Sequence, residues 1–207
     1  MSAVRRTLAV ALLLSSFAWA DPAPKLSASA YVDPHASAIG EVTAGARVFI
    51  APCSSIRATP GATVVIGDDS SVQDGAVVVG TADGGLRIAD LKTDVKGVRI
   101  GRRTTVGAQA QVQGPARVGD GVFVGMRAFV FNAEVADGCV IEPGATVMGV
   151  RVPPGRYVPA NLVVIDQDAA EALPKIGADY PFREVNERMV TTYARMAEEY
   201  SRKNREK

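Results

Sequence analysis

The sequence contains few cysteines and histidines and has almost no net charge. Of its 207 residues, two are cysteines, Cys53 and Cys139, and one is a histidine, His35. Two cysteines are too few for a disulfide framework, so both are interpreted as small apolar core residues. A formal net charge of +1 excludes a global basic field that would attract nucleic acid or anionic lipid.

Long hydrophobic runs are also missing, and the one at the N-terminus is short. In "MSAVRRTLAVALLLSSFAWA", Arg5 and Arg6 form a basic start, Leu8–Leu14 an apolar run, and Ala18–Ala20 a small-x-small cleavage site. The run is shorter than the ~20 residues that a membrane-spanning helix needs. These features predict a signal peptide over residues 1–20. Cleavage would remove two arginines and no acidic residue, leaving a protein of charge −1, periplasmic or secreted and without a membrane anchor.

Aliphatic residues recur every six positions through most of the chain. From residue 100 onward the series is Ile100, Val106, Val112, Val118, Val124 and Val130, and after one step of five it continues through Val135, Ile141 and Val147. The same spacing occurs earlier at Ile50 and Ile56, and at Ile66, Val72 and Val78. A period of six is typical of neither an α-helix nor an isolated strand.

This spacing predicts short strands that are joined by tight turns. Gly101, Gly107, Gly119 and Gly125 follow four of the aliphatic residues, where a bulky side chain would crowd the bend. Three hexads then form one triangular coil, whose aliphatic side chains point inward and stack on the coils above and below. We therefore predict an all-β solenoid, a parallel β-helix of hexapeptide repeats, over residues 21–165.

Two interruptions of the repeat predict excursions from the solenoid. Ten positions separate Ile56 from Ile66, which leaves four extra residues. Twenty-two positions separate Val78 from Ile100, interpreted as a complete coil plus four residues, with a Gly-rich polar tip at Asp83–Gly85. Binding groups are often mounted on such excursions.

The repeat stops near residue 165, and residues 166–207 are predicted to be helical. A short helical turn in "DQDAAEALPKI" would be capped by Asp166 or Asp168 and end before Pro174. A longer helix is predicted from about Phe182, because apolar residues then recur at spacings of three and four: Phe182, Val185, Met189, Tyr193, Met196 and Tyr200. We expect this helix to cover exposed strands of the β-helix, with binding to a partner as the alternative.

An ordered series of motifs resembles the γ-class carbonic anhydrases. The series comprises "YVDPHASAIGEV", "IAPCSSIR", "IGDDSSVQDGAVV", "AQVQGPARVGDGVFVGMRAFVF" and "GRYVPANLVV", and it covers essentially the whole chain from Tyr31 into the C-terminal helix. The resemblance implies a left-handed β-helix, a homotrimer, and a zinc or iron site at each subunit interface. Such a site uses three histidines and an open position to generate metal-bound hydroxide.

The family's three metal-ligand positions correspond to Val79, Ala108 and Gln113. Valine and alanine have no lone pair to offer, and a neutral glutamine carbonyl is a poor ligand for zinc. We therefore expect no metal cofactor. The single histidine, His35, precedes the site coils and is interpreted as a turn residue beside Pro34; the alternatives are a replacement ligand or an acyltransferase base.

Other positions of the family pocket are retained, namely Arg57, Gln73, Asp74 and Asn186. By the same resemblance, Gln73 matches the residue that holds the metal-bound solvent, whereas Thr59 replaces an acidic residue. These residues also have a structural interpretation. Arg57 and Asp74 would form an ion pair between subunits, and Gln73 would satisfy buried polar groups.

Three functions are compatible with this sequence. The first is a catalytically silent γ-carbonic-anhydrase-like homotrimer that binds a small neutral ligand or assembles with a related γ-class subunit. The second is an active carbonic anhydrase that holds zinc, iron or cobalt through atypical ligands such as Asp74. The third is a hexapeptide acyltransferase, which is disfavoured because no histidine lies in a middle coil.

Overall fold

The computed structural model describes residues 22–82 and 95–206 as a left-handed parallel β-helix followed by two α-helices. The predicted signal peptide over residues 1–20 and the predicted loop tip at Asp83–Gly85 lie outside these residues. No helix in the described ranges is both long enough and apolar enough to cross a membrane.

Three parallel sheets of seven strands each form the sides of the solenoid. Sheet A contains β1 (Lys25–Leu26), β4 (Val42–Ala44), β7 (Thr63–Ile66), β10 (Gly97–Ile100), β13 (Ala116–Val118), β16 (Glu134–Val135) and β19 (Arg151–Val152). Sheet B contains β2 (Tyr31–Val32), β5 (Phe49–Ile50), β8 (Ser71–Val72), β11 (Thr105–Val106), β14 (Phe123–Val124), β17 (Val140–Ile141) and β20 (Tyr157–Val158). Sheet C contains β3 (Ser37–Ile39), β6 (Ser55–Ala58), β9 (Val77–Gly80), β12 (Gln111–Gln113), β15 (Phe129–Phe131), β18 (Thr146–Met148) and β21 (Val163–Val164).

The aliphatic residues of the hexads form the core, as predicted. Ile56, Val78 and Val112 are fully buried in neighbouring strands of sheet C, and the corresponding residues of sheets A and B are buried as well. Strands of two to four residues cannot be stable alone, so each coil depends on burial of these side chains against the coils above and below.

Tight turns between the sheets require backbone conformations that few residues adopt. Gln109 (φ 59°) and Cys53 (φ 58°) occupy the left-handed region at the corner between sheets B and C. A side chain at Gly107 would place its Cβ 2.8 Å from the Val124 carbonyl oxygen, which accounts for glycine there. Cys139 is buried as predicted, but the prediction for Cys53 was wrong: it is exposed, because it occupies a corner turn and not an inward position of a strand.

Strand register measures the length of each coil. Arg99 pairs with Arg117, an offset of 18 residues, whereas Thr43 pairs with Val65, an offset of 22, which confirms the four extra residues after Ile56. The interpretation of the longer interruption was wrong. Strand β10 pairs directly with β7, so no additional coil lies between these two strands.

Helix α1 (Gln167–Glu171) covers the C-terminal end of the solenoid, where it contacts β19 and β21. The Asp166 carboxylate caps it by accepting a hydrogen bond of 3.0 Å from the Ala169 amide. Helix α2 (Val185–Arg205) begins three residues later than predicted, and Phe182 lies outside it with 48% of its surface exposed.

Helix α2 packs on sheet B through two separate apolar clusters. The first, here called the N-terminal cluster, comprises Tyr31, Phe49, Ala51, Tyr193, Met196, Ala197 and Tyr200. The second, the C-terminal cluster, comprises Phe123, Val140, Tyr157, Ile176, Tyr180, Val185 and Met189. The predicted apolar stripe of this helix is therefore used to cover sheet B.

Candidate functional site

Two of the three predicted ligand positions lie side by side on the outer face of sheet C. Val79 pairs with Gln113 on one side and with Arg57 on the other, in three successive parallel strands. Neighbouring strands are about 4.8 Å apart. Because Val78 points into the core, Val79 points outward, and its side chain is half-buried.

The third position, Ala108, belongs to the corner between sheets B and C. It precedes β12, whereas Gln113 is the last residue of that strand, so the two lie at opposite ends of β12. One protomer therefore does not bring Ala108 together with Val79 and Gln113. A site that uses all three positions would require Ala108 from a second subunit.

Gln73 and Asp74 lie at the same corner as Ala108, one coil earlier. The Asp74 carbonyl accepts a hydrogen bond of 2.9 Å from the Gln109 amide, which places Asp74 beside Ala108. Gln73 is buried, with 7% of its surface exposed, and its Nε2 lies 3.9 Å from the Met189 sulfur.

The remaining retained positions do not complete this group within one protomer. Arg57 and the Asp74 carboxylate form no ion pair with any other described residue. Asn186 donates a hydrogen bond of 2.7 Å from Nδ2 to the Arg103 carbonyl, at the corner between sheets A and B. It therefore lies across sheet B from Gln73 and Asp74.

Helix α2 contributes a tyrosine to this corner that sequence reasoning treated only as a packing residue. Burial raises the pKa of the Tyr193 phenol, and the charge of the nearby Asp74 carboxylate raises it further. Tyr193 and Met189 thus border Asp74 and Gln73 from the helix side. The sequence signal for both was their place in the apolar stripe, which does not distinguish packing residues from residues that line a pocket.

The side chains at these positions do not fit a zinc or iron ion. Val79 and Ala108 provide no donor atom, and Gln113 provides one neutral amide. Within residues 22–82 and 95–206, no group of three or more histidine, cysteine, aspartate or glutamate side chains is arranged to hold a metal. Among the retained family positions Arg57, Gln73, Asp74 and Asn186, Asp74 is the one with an anionic side chain.

His35 occupies a turn in the first coil, far from these positions in the sequence. Its imidazole Nδ1 lies 3.1 Å from Asp33 Oδ1, which also accepts the His35 backbone amide at 2.9 Å. The side chain is 80% exposed. These contacts are those of a turn residue, as the sequence suggested.

Comparison with known proteins identifies close relatives. No protein-family model matches the chain. A carbonic anhydrase from Methanosarcina thermophila is 43% identical over 185 residues, which cover 86% of this chain and 75% of that protein. The carboxysome assembly protein CcmM of Nostoc sp. is 40% identical over 148 residues, 72% of this chain but 26% of its own length.

Solved structures agree on the fold. The crystal structure of a hexapeptide transferase family protein from Anaplasma phagocytophilum has a TM-score of 0.64 and covers 86% of this chain and 92% of its own. At 18% identity this likeness shows the hexapeptide-repeat β-helix and nothing about activity. The 43% identity to the carbonic anhydrase extends over most of both chains, and the protein belongs to the γ-class carbonic anhydrase family.

Proposed function

We propose that this protein is a γ-carbonic-anhydrase-like homotrimer that holds no metal, does not hydrate carbon dioxide, and acts as a binding or assembly module. The observation that carries the proposal is the donor chemistry at Val79, Ala108 and Gln113. Three such side chains cannot replace three imidazoles, because carbon dioxide hydration by this route needs a metal that lowers the pKa of its bound water.

The outer face of sheet C supports self-association. The Phe129 and Phe131 rings stack on this face with their centroids 5.9 Å apart. Val163 and Ile39 on the same face are 58% and 44% exposed. These apolar side chains are spread along sheet C from β3 to β21, and contact through this face would bring a second subunit close to Val79 and Gln113.

The name of one relative supports an assembly role. The CcmM protein is described as a carboxysome assembly protein, and the region it shares with this chain is about a quarter of its length. From this relative we transfer to the present protein only the hypothesis that a γ-class domain can have a structural role in an assembly. The occupant of the reshaped pocket would be a small neutral ligand, because Val79 and Ala108 make it less polar, or a related γ-class subunit would complete it.

Metal analysis and a carbon dioxide hydration assay on the purified mature protein test the proposal. We expect less than stoichiometric metal and no turnover that a chelator abolishes. Stoichiometric metal together with chelator-sensitive turnover would contradict the proposal and support an active enzyme with an atypical site. The specific observation in favour of that second candidate is the position of Asp74, whose backbone carbonyl accepts a hydrogen bond from the amide of Gln109, the residue after Ala108.

A gain-of-function variant tests where the former site lies. The triple variant Val79→His, Ala108→His, Gln113→His should bind one zinc ion per subunit. A matched control, Val79→His, Gln113→His, lacks the third histidine at position 108 and should bind zinc more weakly. A folded triple variant without zinc, or a control that binds equally well, would show that the site is misplaced.

Size and processing are tested separately. Light scattering of the purified protein should give the mass of a trimer, and a monomer at micromolar concentration would contradict the interface. Mass spectrometry of protein from the periplasm should show an N-terminus at Asp21. A mature chain that begins at Met1, or protein confined to the cytoplasm, would contradict export.

A further inference from the structure

The contact between helix α2 and sheet B is interrupted by polar residues. Along the outward positions of this sheet, Phe49 belongs to the N-terminal cluster and Phe123 to the C-terminal cluster. Between them, directly paired in strands β8 and β11, are Ser71 and Thr105. Their neighbours Val72 and Val106 fill the core, so both hydroxyl groups face the helix.

Three buried polar atoms at this interruption make no hydrogen bond to any described residue: Ser71 Oγ, Thr105 Oγ1 and Asn186 Oδ1. Ser71 and Thr105 are 2% and 0% exposed, and Asn186 is 9% exposed. The Asn186 amide is fixed in place, because its Nδ2 donates to the carbonyl of Arg103, two residues before Thr105. Its free oxygen therefore lies beside the same stretch of sheet B.

Buried polar atoms are nearly always hydrogen-bonded, either to protein or to an ordered water molecule. One such atom without a partner could be relieved by a small side-chain rotation, but here three occur on two paired strands and on the helix that contacts both of them. None of the three groups is ionisable, so the interruption does not suit a charged ligand. Two hydroxyls and an amide oxygen provide the two to four polar partners that a buried water needs.

We propose that helix α2 and sheet B enclose an ordered water molecule that donates hydrogen bonds to Asn186 Oδ1 and to one hydroxyl, and accepts one from the other hydroxyl of Ser71 and Thr105. This site is independent of the proposed function, because it lies under the helix within one protomer. It also explains why an amphipathic helix leaves a polar interruption between two apolar clusters. The water joins the clusters and fixes the position of α2 on the sheet.

Substitution of the two residues that carry the hydroxyl groups distinguishes between a bound water molecule and hydroxyl groups that have no hydrogen-bond partner. If the hydroxyls had no partner, Thr105→Val would remove a buried unsatisfied group and raise the melting temperature. If they bind water, Thr105→Val should lower the melting temperature by about 2–4 °C. Ser71→Ala should then have a smaller effect in the Thr105→Val background than alone, because the shared water has already been lost.

Thr104→Val is the matched control. The Thr104 hydroxyl is equally buried but donates directly to the Gly119 carbonyl at 2.7 Å, so its removal should lower the melting temperature under either account. Additive effects of Ser71→Ala and Thr105→Val, or a rise with either, would overturn the proposal.

A crystal structure of the full protein at high resolution gives the direct test, and it does not depend on whether the variants fold. We expect electron density for one water within hydrogen-bonding distance of Ser71 Oγ, Thr105 Oγ1 and Asn186 Oδ1. Direct hydrogen bonds among the three side chains, or an interface with no density between them, would overturn the proposal.

Discussion

Sheets B and C have the same kind of inward residues and very different outward ones. On sheet B, Tyr31, Phe49 and Phe123 lie beneath helix α2 in closely packed clusters. On sheet C the corresponding outward positions hold side chains such as Arg57, Val79 and Gln113, which remain partly or fully exposed. The inward residues thus form the solenoid, and the outward residues decide whether a face binds its own helix or remains available to another molecule.

The largest effect that would test this comparison is expected from removing an aromatic ring on sheet B. Phe49 is 4% exposed and stacks on Tyr31 with ring centroids 5.3 Å apart. Phe49→Ala should lower the free energy of unfolding by about 3–5 kcal/mol, because it leaves a cavity under α2. Urea denaturation followed by circular dichroism measures this loss.

The matched substitution on sheet C is Phe129→Ala. The Phe129 ring is only partly buried in the protomer. Its removal should therefore lower the free energy of unfolding less than Phe49→Ala does, and its main effect should be on the mass of the oligomer. Light scattering at decreasing protein concentration would detect this. Equal losses of stability from both variants, with no change in size, would mean that the two faces do not differ as described.

An intermediate effect is expected at Tyr180, which anchors the segment before α2 to the solenoid. Its hydroxyl donates a 2.8 Å hydrogen bond to Glu142, whose other oxygen accepts the Ala160 amide at 2.9 Å. Tyr180→Phe should cost about 1.5–3 kcal/mol, the range for hydrogen bonds to charged groups. Denaturation at neutral pH measures this loss of stability, and Tyr157→Phe serves as a control.

The same residue predicts a dependence on alkaline pH. Burial raises the pKa of the Tyr180 phenol, and the hydrogen bond to Glu142 raises it further. Because the pKa is higher in the folded state, the stabilisation is complete below the unfolded value near 10 and declines as the pH rises above it. The free energy of unfolding of Tyr180→Phe should therefore depend less on pH than that of the wild type between pH 10 and pH 11, because about one tyrosine fewer titrates on unfolding.

The smallest effect is expected at the ion pair between α2 and the corner that joins sheets A and B. Arg103 Nη2 contacts both oxygens of Glu187, at 2.6 and 2.5 Å, but the two side chains are 49% and 63% exposed. Arg103→Gln should cost less than about 1 kcal/mol, and the loss should shrink in high salt. Arg99→Gln on sheet A is the control, since Arg99 forms no ion pair with the described residues; a larger cost there would contradict the prediction.

The sequence predicted the solenoid well because a buried position in every coil has to be aliphatic. It was wrong about the segment after Val78, because a spacing of 22 residues equals a coil of 18 plus four residues and is equally compatible with an insertion that forms no coil. It also placed Phe182 in the helix, because an apolar residue at the right spacing satisfies the helical pattern even when it precedes the first helical turn.

The candidate site was less predictable than the fold. The resemblance identified Val79 and Gln113, and the structure places them in adjacent strands. Periodicity says little about outward residues, so Tyr193 was assigned to the packing stripe although it also borders Asp74. Ala108 and Gln113 lie at opposite ends of β12, so a site that uses all three positions would need a second subunit, which the pattern within one chain does not describe.

The register of sheet C has a consequence for how such a protein can change. Ile39, Arg57, Val79, Gln113, Phe131 and Met148 occupy equivalent outward positions in successive strands. These positions form a row with a spacing of about 4.8 Å, in which each residue can be substituted without changing the inward residues of the core. Single substitutions can therefore remove a chemical group from one strand and introduce it in another. The loss or relocation of an active centre then requires no new fold.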